Sequence, residues 1–176
     1  MDKRLKEKFK KIKLLILDVD GVLTDGRMVY DSEGRQIKFF NVKDGLGVYL
    51  LKLMGIKSII LTADNSQVVM RRAQDMGVEE VYAEAYPKTK FYEEIKKKYR
   101  VKDSEICFIG DDLLDLELIK RVGVGVAVKD ACNEIKKIAD YVTKKRGGRG
   151  AVREVCELIL KSKGLWKEAL KKFYLV

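Results

Sequence analysis

The stretch Lys13-Leu14-Leu15-Ile16-Leu17-Asp18-Val19-Asp20-Gly21-Val22-Leu23-Thr24 decides how the rest of the chain is interpreted. Four apolar residues in a row, ended by charge and glycine, predict a strand buried on both faces of a parallel sheet. Such sheets place their chemistry beyond the carboxyl ends of the strands, where Asp18 and Asp20 follow. Alternate residues of an extended chain point the same way, so these two carboxylates converge. A divalent cation such as Mg²⁺ would offset their repulsion, although a strand running into an ordinary Asp-Gly turn has the same pattern.

Composition predicts one globular domain over residues 1–176, since 47% of the residues are hydrophobic and 36% are charged. No apolar run approaches the roughly 20 residues that span a bilayer, and the lysine-rich N-terminal segment lacks the apolar core of a signal peptide. We therefore expect a cytoplasmic protein without a membrane partner. The three cysteines are odd in number and scattered, which predicts reduced thiols. The chain has no histidine, so any acid–base chemistry falls to carboxylates or lysine.

The net charge of +10 raises the possibility of a nucleic-acid-binding protein. The lysines, however, alternate with glutamates along helical segments such as residues 93–98, a pattern typical of solvated helix faces. We therefore expect no nucleic-acid partner. Retention on heparin that is lost at modest salt, in a protein without enzymatic activity, would favour the nucleic-acid-binding alternative.

Apolar β-rich runs alternate with helical patterns along the chain. Strands are predicted at residues 14–17, 57–61, 80–83, 105–109, 124–127 and 141–142. This alternation predicts an α/β fold with a doubly wound, Rossmann-like parallel sheet. Two further β-rich runs, residues 27–30 and 36–40, predict a β-hairpin insertion at about residues 26–41, after the first strand. A two-stranded hairpin is marginally stable alone, so we expect it to pack on another subunit. A C-terminal helical tail is predicted at about residues 163–176.

Polar residues follow several predicted strands and meet at one edge of the sheet. They are Asp18 and Asp20, Thr62, and Asp111 with Asp112 and Asp115, joined by Lys88 at a helix start. A carboxylate can attack phosphorus, Mg²⁺ can offset the charge, and a hydroxyl and an ammonium can hold phosphoryl oxygens. The set predicts phosphate chemistry.

These residues, read as Asp18-Val19-Asp20-Gly21-Val22, Thr62, Lys88 and Gly110-Asp111-Asp112 with Asp115, resemble in order the four motifs of the haloacid dehalogenase superfamily. The resemblance implies that Asp18 is the nucleophile and a metal ligand. It implies that Asp20 is the general acid/base and lends its backbone carbonyl to the metal, and an aspartate there implies a phosphatase.

The same resemblance assigns the remaining residues. Asp111 is implied as the third metal ligand, and Thr62 and Lys88 as catalytic groups that hold the phosphoryl group. Asp112 and Asp115 are implied to support the metal-bound water and Lys88.

A closer resemblance rests on residues 20–26, on Asn41-Val42-Lys43-Asp44-Gly45 and on Gly147-Gly148-Arg149-Gly150-Ala151-Val152-Arg153-Glu154. These segments resemble 3-deoxy-D-manno-octulosonate 8-phosphate phosphatases over about residues 10–160. That family implies a role in lipopolysaccharide precursor synthesis, no cap domain, and a homotetramer whose hairpins form a barrel. It also implies substrate binding by Asn41, Val42, Lys43, Asp44, Gly45, Arg72 and Lys88. Residues 41–45 also fit a plain helix start, but their place after the hairpin favours a substrate role. Arg72 fits a solvated surface residue equally well.

Two positions depart from that family. Asp64 stands where the family's second motif carries an arginine, and Tyr49 stands where a second arginine is expected. We expect that octulosonate 8-phosphate is still hydrolysed, with poorer discrimination against neutral sugar phosphates. Alternatives are a phosphatase of another sugar phosphate, such as acylneuraminate 9-phosphate, or a non-catalytic oligomerisation module related to acylneuraminate cytidylyltransferase.

Overall fold

A computed structural model describes residues 2–175 and places the run that follows Lys13 at the centre of a parallel sheet. In chain order the strands are β1 (Leu14–Leu17), β2 (Val29–Tyr30), β3 (Gln36–Ile37), β4 (Lys57–Leu61), β5 (Glu80–Tyr82), β6 (Ile106–Gly110), β7 (Val124–Ala127) and β8 (Tyr141–Val142). The helices are α1 (Lys3–Lys11), α2 (Val42–Leu53), α3 (Gln67–Met76), α4 (Lys88–Tyr99), α5 (Leu116–Arg121), α6 (Asn133–Ile138), α7 (Ala151–Ser162) and α8 (Trp166–Leu175).

Six strands form the sheet in the order β5-β4-β1-β6-β7-β8, and every pairing is parallel. The strand order reverses at β1. The chain continues from β1 to β4 on one side of it and later returns to β6 on the other side. Helix α5 contacts both α4 and α6. Helices α1, α2, α7 and α8 form a second group, and α3 packs against α2. The predicted doubly wound α/β fold is confirmed.

Most strand bounds agree with the sequence prediction because their signals are local, and β5 ends one residue before its predicted end. The bounds of β4, β7 and β8 match the predicted ones, and the predicted strand at 105–109 is displaced by one residue, since residues 103–105 form a 3₁₀ turn. Helix α1 was not predicted. Asp2 caps it by accepting a hydrogen bond from the amide of Leu5, and Phe9 is buried. The apolar residues Leu5 and Phe9, at helical spacing, are the sequence signal that indicates this helix.

The hairpin is shorter than predicted, with only two residues in each strand. Its turn is held by Asp31, which accepts hydrogen bonds from the amides of Glu33 and Arg35. The ladder ends at Ile37, and the side chain of the next residue, Lys38, is buried. Within the described chain, the segment between β1 and α2 contains this hairpin and turns, without a larger inserted domain.

The C-terminal helix α8 packs against α2 and α7 of its own chain. Trp166 lies beside the cations of Arg153 and Lys161, and Ala169 is buried. The tail is therefore part of the domain's own helical layer. Within residues 2–175, no helix combines the length and the apolar character needed to cross a bilayer.

Candidate active site

The predicted polar residues meet in one cavity at the carboxyl ends of three neighbouring strands. Asp18 follows β1, Thr62 follows β4 and Asp111 follows β6, and β1 lies between the other two. The cavity has a volume of about 310 Å³ and is lined by Asp18, Asp20, Gly21, Gly26, Thr62, Ala63, Asp64, Lys88, Asp111, Asp112, Leu114 and Asp115. A larger cavity of about 460 Å³ lies at the opposite edge, near the starts of β1 and β4.

Lys88 is the fixed positive charge of this cavity. Its Nζ lies 2.6 Å from Oδ2 of Asp18 and 2.6 Å from Oδ1 of Asp115, and its side chain is 3% exposed. Burial lowers the pKa of Lys88, but the two carboxylates outweigh burial, and the net shift is upward. The ammonium therefore stays charged and presents Asp18 on the cavity floor.

Asp18, Asp111 and Asp115 form a carboxylate cluster suited to a cation. One oxygen of each lies within 4.8 Å of the others. Burial and the neighbouring Asp115 raise the pKa of Asp18 to about 7 despite Lys88. Burial, followed by the charges of Asp18, Asp115 and Asp112, raises the pKa of Asp111 to about 7. Three carboxylates thus surround the single ammonium of Lys88, and hard oxygen donors fit Mg²⁺.

Asp115 is fully buried, unlike the partly exposed Asp18 and Asp111, and both of its oxygens are engaged. Oδ2 accepts a hydrogen bond of 2.9 Å from the amide of Asp111, while Oδ1 binds Lys88. Asp18 and Asp111 are left as the carboxylates best placed for a metal ion, and Asp115 orients both Lys88 and the Asp111 loop.

Gly21 allows the two halves of the site to approach each other. A β-carbon on Gly21 would fall 2.0 Å from Oδ2 of Asp111, and its φ of +76° is one that glycine adopts readily. The turn after β1 thereby brings Asp20 and Asp111 to the same cavity.

The opposite wall is formed by the residues after β4. The Thr62 hydroxyl accepts a hydrogen bond from the amide of Asp64 at 3.1 Å. Asp64 in turn accepts hydrogen bonds from the amide and hydroxyl of Ser66. Burial raises the pKa of Asp64, but the hydrogen bonds from Ser66 and Lys38 outweigh it and lower the pKa below its ordinary value. Asp64 is therefore an ionised, well-paired carboxylate.

The substrate-binding residues predicted at 41–45 lie outside the lining of this cavity. Asp44 is fully buried and accepts hydrogen bonds from the amides of Gly150 (3.2 Å) and Arg153 (2.7 Å), at the start of α7. Asn41 caps α2 by accepting from the amide of Lys43, and its side-chain amide donates to the carbonyl of Gly148 at 3.4 Å. Both side chains thus join α2 to the glycine-rich loop at residues 147–150.

The remaining predicted contacts are also separate from the carboxylates. Val42 is 81% exposed, and Lys43 lines a shallow depression with Arg149. The guanidinium of Arg72 donates to the carbonyl of Asn41 at 2.8 Å, and a β-carbon on Gly45 would fall 2.5 Å from it. Arg72 is therefore packed against the start of α2 and is not a freely solvated residue.

Comparison with known proteins finds relatives over most of the chain. A family model for haloacid dehalogenase-like hydrolases matches residues 55–155. The 3-deoxy-D-manno-octulosonate 8-phosphate phosphatase KdsC of Escherichia coli K12 is 39% identical over 162 residues, which cover 92% of this chain and 86% of that protein. This chain belongs to the haloacid dehalogenase-like hydrolase family.

Solved structures of family members share the fold over nearly the whole chain. The octulosonate 8-phosphate phosphatase of Moraxella catarrhalis, in complex with magnesium, phosphate and KDO, has a TM-score of 0.95 and 40% identity, and covers 98% of this chain and 99% of its own. The cobalt-bound enzyme of Haemophilus influenzae has a TM-score of 0.86 and 37% identity, and covers 89% and 92%.

Sequence reasoning missed Lys38 as a member of this hydrolase site. Its Nζ lies 2.5 Å from Oδ1 of Asp20 and 3.1 Å from Oδ2 of Asp64. No single-sequence signal separates Lys38 from the many surface lysines, because only the return of the chain after the hairpin brings it to the sheet edge.

Proposed function

We propose that this chain is a Mg²⁺-dependent phosphatase of a sugar-acid phosphate. Its substrate is 3-deoxy-D-manno-octulosonate 8-phosphate, and its products are the free sugar acid and phosphate in lipopolysaccharide precursor synthesis. The observation that carries the proposal is the carboxylate of Asp18, held by Lys88 beside Asp111 and Asp115 on the floor of a cavity. The relatives with this activity, which match most of the chain, support the choice of substrate.

Asp18 and Asp20 divide the chemistry between them. An oxygen of Asp18 attacks phosphorus and the bond from phosphorus to the ester oxygen breaks, which gives an aspartyl-phosphate. Asp20 donates its proton to the departing oxygen. A water molecule then attacks the phosphoryl group and gives its proton to Asp20, and Asp18 is released with inorganic phosphate.

Lys88 and Thr62 hold the phosphoryl oxygens during both displacements, because an ammonium and a hydroxyl offset the charge spread over those oxygens. Asp18, Asp111 and the backbone carbonyl of Asp20 would hold Mg²⁺. The ion supplies positive charge that allows an anionic nucleophile to approach an anionic substrate. Asp112 and Asp115 support this arrangement from the loop after β6.

We propose a cytoplasmic homotetramer with one domain per chain, residues 1–176. Support comes from the hairpin region, where Met28 (54%), Tyr30 (59%), Ile37 (41%) and Phe39 (60%) are exposed. A patch of this kind on one small hairpin is typical of a protein interface. Asn41, Lys43 and Arg72 lie near this hairpin and are proposed to act on substrate in the assembled protein.

The test is a panel of sugar phosphates assayed for phosphate release with Mg²⁺, with the Asp18→Asn variant as control. Octulosonate 8-phosphate should be hydrolysed, chelator should stop turnover, and Mg²⁺ but not the larger Ca²⁺ should restore it. Preference for acylneuraminate 9-phosphate would change the assigned substrate. A folded protein that releases no phosphate from any ester would favour the non-catalytic oligomerisation module.

A further inference from the structure

Lys38 occupies an unusual position for a lysine beside a polar cavity. Its side chain is 2% exposed although it follows a solvent-exposed hairpin. Its ammonium lies between two carboxylates, 2.5 Å from Oδ1 of Asp20 and 3.1 Å from Oδ2 of Asp64. A buried lysine needs such partners, because an uncompensated charge out of water is strongly unfavourable.

The ammonium lies behind the cavity wall. Asp20 and Asp64 both line the cavity, whereas Lys38 is not among its lining residues. Oδ1 of Asp20 is the oxygen that Lys38 and the Thr24 hydroxyl bind, the latter at 3.4 Å. Among the described residues, Oδ2 of Asp20 has no hydrogen-bond partner. One face of the Asp20 carboxyl is thus fixed by the protein and the other is left for the substrate.

We infer that Lys38, anchored by Asp64, is a positioning residue that holds the Asp20 carboxyl in place to protonate the leaving oxygen. This inference rests on the proposed phosphatase function. Without Lys38, the Asp20 side chain could rotate among its staggered conformers, and the acid would be misplaced in most of them.

Asp64 is the second carboxylate that holds the ammonium of Lys38. Its Oδ2 binds both Lys38 and the Ser66 hydroxyl, the latter at 2.7 Å, and its Oδ1 accepts from the amide of Ser66. The carboxylate is therefore immobilised by the start of α3 and gives the ammonium a fixed second partner. The carboxylate of Asp64 thus acts on Asp20 through Lys38.

The decisive experiment compares two phosphate esters that differ in their need for an acid. The alkoxide that leaves octulosonate 8-phosphate requires a proton, whereas p-nitrophenolate is stable enough to leave without one. The value of kcat/KM depends only on the steps up to formation of the phosphoenzyme. The decrease in kcat/KM for each ester therefore reports how well the Asp20 carboxyl is placed to protonate the leaving oxygen. Loss of a general acid typically costs about 10²- to 10⁴-fold.

For Lys38→Met we expect kcat/KM to fall about 10- to 100-fold with octulosonate 8-phosphate and less than about threefold with p-nitrophenyl phosphate. Lys38→Arg, which keeps a cation able to reach both carboxylates, should recover most of the loss. Asp64→Asn should show a smaller loss with the same dependence on the leaving group. Lys97→Met, at an exposed lysine on α4, is the matched control and should leave both values unchanged.

Equal losses with both esters, or no recovery in Lys38→Arg, would overturn the inference while leaving the phosphatase function standing. If Lys38→Met does not fold, judged by circular dichroism, the Asp64→Asn comparison decides by the same criterion. Failure of the wild-type protein to hydrolyse either ester would instead overturn the proposed function itself.

Discussion

Gly147 lies directly against the backbone of Gly21, so that a β-carbon on Gly147 would come within 1.7 Å of the Gly21 carbonyl oxygen. The amide of the next residue, Gly148, donates to the carbonyl of Val22 at 2.9 Å. The Gly147 amide is itself held by Asp130 at 2.9 Å. The glycine-rich loop therefore supports the turn that carries Asp20.

Gly147→Ala should displace this turn. We expect at least about a tenfold loss of kcat/KM and about 1–3 kcal/mol of lost unfolding free energy, since overpacking against backbone forces a shift. Gly55→Ala is the control: no atom lies within 4 Å of its β-carbon position, although its φ is +73°. That variant should lose about 1 kcal/mol of stability and keep its activity. Full activity in Gly147→Ala would show that the loop does not set the position of Asp20.

Asp18→Asn should abolish phosphate release, by more than about a thousandfold, because an amide oxygen is too weak a nucleophile. Lys88 keeps Asp115 as its partner, so the variant should fold and retain its circular dichroism spectrum. Asp75→Asn, on the exposed side of α3, is the control for removal of one carboxylate and should keep full activity. Turnover by Asp18→Asn would contradict the assignment of the nucleophile.

Stability of the Mg²⁺-free protein should fall as pH rises from about 4 to 7. The pKa values of Asp18 and Asp111 are raised from 3.8 to about 7, so in this window the folded state holds protons that the unfolded state has released. More protons bound to the folded state means that unfolding free energy decreases with pH. The measurement is Tm as a function of pH in the presence of chelator. The same profile for Asp111→Asn is subtracted, because contributions from the rest of the molecule are common to both proteins.

The Asp111→Asn profile should be flatter than that of the wild type between these pH values. At pH 7, Mg²⁺ at 100 times its Kd should restore about 2.7 kcal/mol to the wild type. For a chain of this size each kcal/mol corresponds to about 2–4 °C in Tm. Parallel profiles for the two proteins would show that Asp111 does not carry a raised pKa.

The parts of this structure that were predictable from sequence are those that depend on local pattern. The buried run before Asp18 ends where the charge begins, and parallel-strand geometry brings Thr62 and Asp111 to the same edge. The roles of Lys38 and Asp44 could not be predicted from the sequence, because they depend on which distant segment packs against each residue. A buried lysine bound to Asp20, and a carboxylate that caps α7, have no periodic signature.

The hairpin should control assembly. Phe39→Asp places a charge in the exposed apolar patch that also contains Tyr30, and we expect the proposed tetramer to dissociate into smaller species. Light scattering after size-exclusion chromatography gives the mass directly. Met70→Asp, at an apolar residue on α3 that is 38% exposed, is the control and should leave the mass unchanged. A wild-type protein that is already a stable monomer would rule out the tetramer.

Selectivity for the sugar acid should depend on Asp64, whose ionised carboxylate lines the cavity. A fixed negative charge there disfavours an anionic substrate, so the wild type should distinguish only weakly between octulosonate 8-phosphate and the neutral sugar of arabinose 5-phosphate. Asp64→Arg replaces the carboxylate by a guanidinium able to bind the sugar carboxylate, and a charge-assisted hydrogen bond contributes about 1.5–3 kcal/mol. The ratio of the two kcat/KM values should therefore rise about tenfold or more.

Both substrates should lose kcat/KM in Asp64→Arg, because Lys38 no longer has its second carboxylate partner. The ratio of the two kcat/KM values cancels this shared loss and isolates recognition of the sugar acid. Asp64→Asn removes the negative charge without adding a cation, so its ratio should lie between those of the wild type and Asp64→Arg. If the wild type already separates the two substrates as strongly as Asp64→Arg, the carboxylate of Asp64 acts on Lys38 alone and the cation for the sugar acid is supplied elsewhere.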